Sequence, residues 1–272
     1  MKFILFFNLI CIVNAFSTGT EVPEKTSKIL KSFHMYECSD KTVMEALNSG
    51  NPPVLAKMLK EYVCRFSADK TEAEIKDALE QRGYSMALSD ERAEFGERLF
   101  PSAGDTSTPV EITAYVCTRC PYCRKIIPIL FDAVTDGDLK GKASLRIRIF
   151  ALKDHEYSIK GAKALIAAGE QDKFWDYFFS LYKKYDNIND NSFIKTASEF
   201  GLNIPEFKKS FNSAKTMEKL VEIKKEGFRN RVLATPTFFI NKKRWRGLPD
   251  RLSVMQAAEE EFLRIKGELC SP

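Results

Sequence analysis

The length, composition and charge of the chain exclude several classes of protein. It has 272 residues, of which 44% are hydrophobic and 29% are charged, so it is neither collagen-like nor of low complexity. The formal net charge is only +5 and no long basic run is present, so the sequence gives no indication of nucleic-acid binding. The two histidines, His34 and His155, are far apart, which disfavours a histidine-rich metal site or a serine-type catalytic triad.

Residues 1–15 predict a secretory signal peptide. Lys2 precedes an apolar run of about eleven residues that ends at Val13-Asn14-Ala15, a small-x-Ala pattern typical of a cleavage site. A membrane anchor is the alternative, but the run is shorter than the roughly 20 apolar residues needed to span a bilayer. We therefore expect an exported protein, periplasmic or secreted, in a compartment that permits disulfides.

Residues 16–100 are predicted to form a helical N-terminal domain. Four segments carry apolar residues at three- and four-residue steps, namely residues 24–35, 40–47, 53–65 and 71–86. Ser39 or Asp40 is the expected N-cap of the second helix, and Thr71-Glu72-Ala73-Glu74 places acidic residues in the first turn of the fourth. A small and polar stretch at residues 101–108 then predicts a linker.

After this linker, strand and helix patterns alternate. Residues 109–116 and 144–152 read as strands that flank a helix, residues 158–231 read as several helices, and residues 237–240 read as a further strand. A last helix is expected at residues 252–265. This order predicts an α/β domain over residues 109–272, with a helical insertion at about 158–231.

The strongest chemical signal is Cys120-Pro121-Tyr122-Cys123, which lies where a strand gives way to a helix. With Pro121 as the first helical residue, the unpaired amides and the helix dipole would stabilise an anion on the Cys120 sulfur. We therefore expect the pKa of Cys120 to fall below about 8.5, with Cys123 resolving mixed disulfides. An inert disulfide or a zinc half-site is the alternative, but no second cysteine pair stands at ligand spacing.

Cys117 extends this motif to Cys-x2-Cys-x2-Cys, which is also the start of an iron–sulfur pattern. A ferredoxin would carry a further cysteine where Ile127 stands, so we predict neither a cluster nor any other metal or cofactor. A buried thiol at the end of the strand is the expected role of Cys117. A regulatory disulfide from Cys117 to Cys120 or Cys270 is the alternative.

Thr235-Pro236 directly before a strand, together with the cysteine motif and the long helical insertion, resembles the bacterial Dsb-type (DsbA-like) thiol–disulfide oxidoreductases of the thioredoxin superfamily. The resemblance runs from about Pro109 to Lys266. It implies a thioredoxin fold with an inserted helical domain and a cis Thr235–Pro236 bond beside the cysteines, where the Thr235 backbone pairs with an extended substrate. The implied partners are exported proteins with cysteines and a membrane redox partner of DsbB or DsbD type.

Three positions depart from the oxidase-type members of that group. Ala114 stands where they carry a buried acid, so the Cys123 proton would need another acceptor, either water or Glu111. Tyr122 replaces a histidine between the cysteines, and Thr235 is commoner before the proline in isomerase-type members. The resemblance therefore favours an isomerase or reductase over a dedicated oxidase. A client-binding chaperone module is the alternative from another functional class.

Two further expectations concern packing. Four aromatic residues of the insertion have the helical spacing of core residues, with a substrate groove as the alternative: Phe174, Trp175, Tyr177 and Phe178. The N-terminal domain lies outside the resemblance. It would serve either as an arm that makes a homo-oligomer, as in isomerase-type members, or as a domain packed on its own catalytic neighbour.

The remaining cysteines predict a structural disulfide between Cys38 and Cys64. They lie on neighbouring predicted helices that Pro52 and Pro53 separate, so an antiparallel pair would bring the two thiols together. The closed loop of about 27 residues would stabilise the domain by about 3 to 4 kcal/mol.

Overall fold

The computed structural model describes residues 23–272, and the predicted signal peptide at residues 1–15 lies outside them. The described chain forms two compact units. The first comprises the residues up to Asp90, Trp245–Leu248 and Glu259–Pro272, and the second comprises Glu91–Arg244 and Pro249–Ala258. Among residues 23–272, no helix combines the length and apolar character needed to cross a bilayer.

The boundary between the units differs from the predicted linker at residues 101–108. Residues 91–103 belong to the second unit because they pack along its sheet: the Ala93 amide donates to the Lys242 carbonyl at 2.9 Å, and Ala103 and Leu145 exchange backbone hydrogen bonds. The end of the chain also differs from the prediction, since Glu259–Pro272 joins the first unit. Small, polar residues are typical both of turns within a domain and of linkers between domains, so the composition of residues 101–108 could not distinguish the two.

Helices make up the first unit: α1 (Glu24–Ser32), α2 (Val43–Leu47), α3 (Val54–Phe66) and α4 (Glu72–Gly83), which continues into a π-helical turn at Tyr84–Leu88. Thr42 and Thr71 cap α2 and α4 in reciprocal capping boxes with Glu45 and Glu74. The cap of α2 is therefore Thr42, and the prediction of Ser39 or Asp40 is wrong.

The C-terminal tail caps α3. Pro53 stands at the N-cap and has no side-chain oxygen to accept the first helical amides. Carbonyls of the tail replace it: Ser271 accepts from the Val54 amide at 2.9 Å, and Leu269 accepts from the Leu55 amide at 3.1 Å. Leu269 is buried in the same core as the α1, α3 and α4 side chains.

Cys38 forms a disulfide with Cys270 in this tail, with their Cα atoms 5.0 Å apart. The predicted Cys38–Cys64 disulfide is therefore wrong. Helix α2 begins only at Val43, so Cys38 lies in the preceding loop, at φ +72°, and not on a helix antiparallel to α3. Cys64 lies buried in α3 as a thiol.

The second unit contains a four-stranded sheet in the order β2-β1-β3-β4. Strands β1 (Val110–Val116) and β2 (Ala143–Ile149) are parallel and joined by helix α5 (Pro121–Thr135), while β3 (Thr237–Ile240) runs antiparallel to β1 and β4 (Lys243–Arg244) antiparallel to β3. Five helices separate β2 from β3: α6 (Ser158–Gly169), α7 (Phe174–Lys183), α8 (Ser192–Glu199), α9 (Ile204–Asn212) and α10 (Ala214–Arg229). Helix α11 (Arg251–Lys266) follows the sheet. The predicted α/β domain with a helical insertion is thus confirmed.

The core of this unit lies on both faces of β1: Ile112, Ala114 and Val116 are fully buried on one face, and Thr113 and Tyr115 are buried on the other. Of the four aromatic residues predicted to belong to the core, Phe174, Tyr177 and Phe178 of α7 are buried, which confirms the prediction for them. Trp175 is only partly buried, so for this residue the prediction is wrong. The cysteine motif begins directly after the carboxyl end of β1.

Candidate active site

The chain turns sharply between the end of β1 and the start of α5. Cys117 follows the last residue of β1, and its carbonyl accepts a hydrogen bond from the Cys120 amide at 3.2 Å. This turn delivers Cys120 to the N-cap position of α5, with Pro121 as the first helical residue, as the sequence predicts. A helix N-terminus presents unpaired amides, so a sulfur placed there is surrounded by donors.

The Cys120 sulfur lies between a backbone N–H, which stabilises its anion, and a backbone carbonyl, which accepts from its thiol form. It accepts a hydrogen bond from the Cys123 amide at 3.4 Å, and the thiol donates to the Thr235 carbonyl at 3.1 Å. Hydrogen bonding to the Cys123 thiol, reinforced by the Cys123 amide, lowers the pKa of Cys120 to about 5 despite its burial. Cys120 is therefore a thiolate at neutral pH.

Cys123 has the opposite character. Its side chain is completely buried, one turn into α5, and this burial raises the pKa of its thiol well above the ordinary value. The hydrogen bond with Cys120 acts in the same direction. Two thiols in contact thus differ in protonation at neutral pH, which is the division of labour between an attacking and a resolving cysteine.

The loop before β3 completes the site. The Thr235–Pro236 bond is cis, as the resemblance implies, and the antiparallel pairing of Thr237 with Tyr115 holds this loop at the carboxyl end of β1. Thr235 is buried and its carbonyl faces the Cys120 sulfur. Of the remaining motif residues, Pro121 is exposed and Tyr122 is 66% exposed. The structure therefore brings Cys120, Cys123 and Thr235 together and places Tyr122 at the surface.

Glu111 does not reach the thiols. It lies near the start of β1, six residues before Cys117, which is about 20 Å of extended strand. Its carboxylate binds Arg98 at 2.6 Å and accepts from the Thr113 hydroxyl at 3.0 Å. Ala114, where oxidase-type members carry the buried acid, has no side-chain group that could accept a proton. It is completely buried between the two neighbouring strands.

Two residues at the site were not identified from the sequence. The Nδ1 atom of His155 lies 3.4 Å from the Cys117 sulfur, and the buried Tyr182 hydroxyl donates to the Cys117 carbonyl at 3.5 Å. Burial and the nearby thiols raise the pKa of Tyr182, so it stays a neutral phenol. His155 follows β2, and the parallel pairing of β1 and β2 was the signal that could have located it beside Cys117. No sequence signal distinguishes Tyr182 from other aromatic residues of the insertion.

The helical insertion also contacts the rim of the site. The Tyr185 ring lies between two guanidinium groups, with Arg119 at 4.3 Å and Arg124 at 4.5 Å from its centroid. Arg124 pairs with Asp186 at 3.1 Å, and the Tyr185 hydroxyl donates to the Arg119 carbonyl at 3.0 Å. These contacts fix the turn that carries Cys120.

Comparisons with known proteins agree with this architecture. A family model described as thioredoxin matches residues 100–257. Oxidised BdbD from Bacillus subtilis superimposes with a TM-score of 0.54 and 17% identity, covering 63% of this chain and 97% of BdbD. The thiol-disulfide exchange protein α-DsbA2 from Wolbachia pipientis gives a TM-score of 0.53 and 18% identity, covering 71% of this chain and 99% of that one. These structures confirm the fold that the resemblance implies.

Curated relatives at the sequence level match a domain-sized segment of larger proteins. The Na(+)/H(+) antiporter NhaA 3 of Salinispora tropica is 27% identical over 158 residues, which is 57% of this chain and 23% of the antiporter. The antiporter NhaA of Herminiimonas arsenicoxydans is 26% identical over 157 residues, which is 57% of this chain and 24% of that protein. The chain thus spans about a quarter of the length of the curated relatives it matches.

Proposed function

Because the chain belongs to the thioredoxin family, with the fold of its Dsb-type members, we propose that it is a thiol–disulfide oxidoreductase in which Cys120 attacks and Cys123 resolves. One observation carries the proposal: two thiols in contact have opposed pKa shifts, Cys120 down to about 5 and Cys123 upward. A structural cysteine pair has no need of such a difference, whereas an exchange reaction requires one thiolate and one protected thiol.

The exchange proceeds in two displacements. The Cys120 thiolate attacks one sulfur of a client disulfide, a mixed disulfide forms, and the other client sulfur leaves as a thiolate. Cys123 then loses its proton and attacks the Cys120 sulfur, which releases the reduced client and leaves a Cys120–Cys123 disulfide. An external dithiol must restore the reduced pair. The same steps in reverse oxidise a client dithiol.

Thr235 and Pro236 would position the client. The Thr235 carbonyl faces the Cys120 sulfur at 3.1 Å, so a polypeptide paired with the Thr235 backbone in extended form would present its own cysteine to Cys120. Leu233, two residues earlier, is 79% exposed, and it offers an apolar contact on the same approach. The clients would be exported proteins with cysteines.

We favour isomerase or reductase activity over a dedicated oxidase. The Cys120 pKa of about 5 lies between about 7 in thioredoxin and about 3.5 in DsbA, and a lower pKa stabilises the reduced form. Tyr122 and Thr235 support the same subtype through the resemblance. The reduction potential should therefore lie below about −130 mV, between those of DsbA and thioredoxin. Equilibration with glutathione measures it, and a value above about −130 mV would favour the oxidase.

The predicted signal peptide supports export to the periplasm or beyond, where a membrane partner of DsbB or DsbD type would maintain the redox state. The helical first unit supports a role outside catalysis, either as an arm for homo-oligomers or as a support for its own catalytic unit. Light scattering of the full chain distinguishes the two roles, since the first requires an oligomer.

A trapping experiment tests the proposed chemistry. The variant Cys123→Ser cannot resolve, so it should accumulate mixed disulfides through Cys120 when incubated with insulin or with exported proteins. Cys120→Ser is the matched control, and it should form none because Cys123 is buried and protonated. Equal amounts of adduct in both variants, or none in Cys123→Ser, would falsify the assignment of roles.

A further inference from the structure

A cavity of about 210 Å³ lies in the second unit, away from the cysteines in sequence and unused by the exchange reaction. The end of α10, the turn between β3 and β4 and the segment around Ala93 bound it. Its lining is strongly cationic, with five basic side chains and a single carboxylate, Glu91; the basic residues are Arg92, Arg229, Arg231, Lys242 and Arg244. Phe239, in β3, contributes to the lining.

Hydrogen bonds hold the walls of this cavity in place. The Asn230 side chain donates to the Glu94 carbonyl at 2.9 Å and accepts from the Glu94 amide at 3.2 Å. The Ala93 amide donates to the Lys242 carbonyl at 2.9 Å, and the Arg244 guanidinium donates to the Arg231 carbonyl at 2.6 Å. The three wall segments are therefore tied to one another before any ligand arrives.

Part of the positive charge is left without a counter-charge. Arg231 pairs with Glu91 at 3.0 Å, but across residues 23–272 no ion pair joins Arg229 or Lys242 to a carboxylate. Arg229 is near enough to Glu222, two turns earlier on α10, to lower the pKa of that carboxyl slightly. Like charges gathered around a small cavity repel one another, and a bound anion would remove that repulsion.

The backbone gives a second and independent observation. Arg231, just after α10, has φ +58°, and Lys242, in the two-residue turn between β3 and β4, has φ +67°. Both values lie in the left-handed region, and glycine or asparagine is the favoured residue both after a helix and in such a turn. Two long cationic side chains thus occupy positions that favour glycine, and both line the same cavity.

From these observations we propose that the cavity is an anion site that binds the phosphate group of a small molecule. Guanidinium groups match the geometry of phosphate oxygens with paired N–H donors, and this lining supplies four arginines. Lys242 adds a further donor. The space accommodates a phosphate with a few attached carbon atoms, so free phosphate and a small phosphate monoester share the required chemistry.

The test is isothermal titration of the full, oxidised chain at low salt with three probes: inorganic phosphate, glycerol 3-phosphate and citrate. We expect both phosphate probes to bind at one site, and citrate to bind about tenfold more weakly. The guanidinium groups converge on one small cavity, which suits the clustered oxygens of a single phosphate, whereas the three carboxylates of citrate are spread over a branched carbon frame. Tighter binding of glycerol 3-phosphate than of phosphate would identify a monoester as the ligand, and equal binding would show that the phosphate group alone is recognised.

The double variant Arg229→Gln/Lys242→Gln should weaken phosphate binding about a hundredfold, since the loss of each charge-assisted hydrogen bond weakens it about tenfold. Lys208→Gln/Lys209→Gln, on the exposed side of α9, makes the same change in net charge away from the cavity and should leave binding unchanged. Absence of binding at about 10 mM phosphate, equal binding of citrate, or equal loss in both double variants would overturn the proposal. None of these readouts depends on thiol–disulfide exchange.

Discussion

Removal of the Cys38–Cys270 disulfide should destabilise the first unit far more than the second. The two cysteines are 232 residues apart, and the chain-entropy relation gives about 5 to 6 kcal/mol if the whole chain unfolds at once. If the second unit stays folded, its residues do not add to the length of flexible chain that the Cys38–Cys270 disulfide closes. The first unit alone leaves about 70 flexible residues between the cysteines, for which the same relation gives about 4 kcal/mol.

The two tryptophans allow this difference to be measured. Trp245 belongs to the first unit and Trp175 to the second, so Trp175→Phe leaves a fluorophore that reports only the first unit, and Trp245→Phe one that reports only the second. Each background is unfolded in urea with and without the change Cys38→Ala/Cys270→Ala. With a urea dependence of about 2 kcal/mol per M, the loss predicts a shift of about 2 M in the Trp245 transition.

A matched control separates the disulfide from the loss of cysteine side chains. Cys64→Ala removes a buried thiol from the same unit and leaves the Cys38–Cys270 bond intact, so it should shift the Trp245 transition by less than about 0.5 M. A shift of that small size in the Cys38→Ala/Cys270→Ala protein, or an equal shift of both tryptophan transitions, would refute the reasoning.

Three further predictions concern buried charge and the redox pair. Arg82 and Glu260 form a salt bridge at 2.8 Å with both side chains completely buried, so Arg82→Ala should lower the free energy of unfolding by about 3 to 5 kcal/mol, read from the Trp245 transition. The reduced protein should lose stability on acidification, because the pKa of Cys120 falls to about 5 on folding. Ionisation of Cys120 contributes about 3 kcal/mol to the free energy of unfolding at pH 7, and this contribution is lost as the pH falls through 5. Urea unfolding at pH 7 and at pH 5 should show this loss of stability in the reduced protein and not in Cys120→Ser. Finally, Cys120→Ala/Cys123→Ala should abolish insulin reduction while clients still bind; full biological effect without the two thiols would favour the chaperone alternative.

The parts of the site that depend on neighbouring residues in the sequence could be predicted from it. The N-cap position of Cys120 follows from Pro121 and from the change of period after β1, and the β3 strand follows from a short run of apolar and aromatic residues. The helical insertion was equally readable, since its apolar residues recur at helical spacing and three of the four aromatic residues predicted for its core are buried.

Long-range pairing was not readable in the same way. The Cys38–Cys270 bond depends on the tail that caps α3, and no periodicity connects residues so far apart. The contact between His155 and Cys117 depends on the parallel pairing of two strands, and Tyr182 reaches the site through packing of the insertion. Glu111 was considered because it is near in sequence, but an extended strand carries it away from the thiols.

The central claim is that Cys120 and Cys123 differ in protonation, and alkylation as a function of pH tests it most directly. The reduced chain is treated briefly with iodoacetamide between pH 3 and 9, and mass spectrometry measures the modified fraction of each cysteine. We predict that modification of Cys120 rises with a midpoint near pH 5, while Cys123 stays unmodified over the whole range because its raised pKa keeps the thiol protonated. A Cys120 midpoint near the free-thiol value of about 8.5, or modification of Cys123 alongside it, would contradict the account.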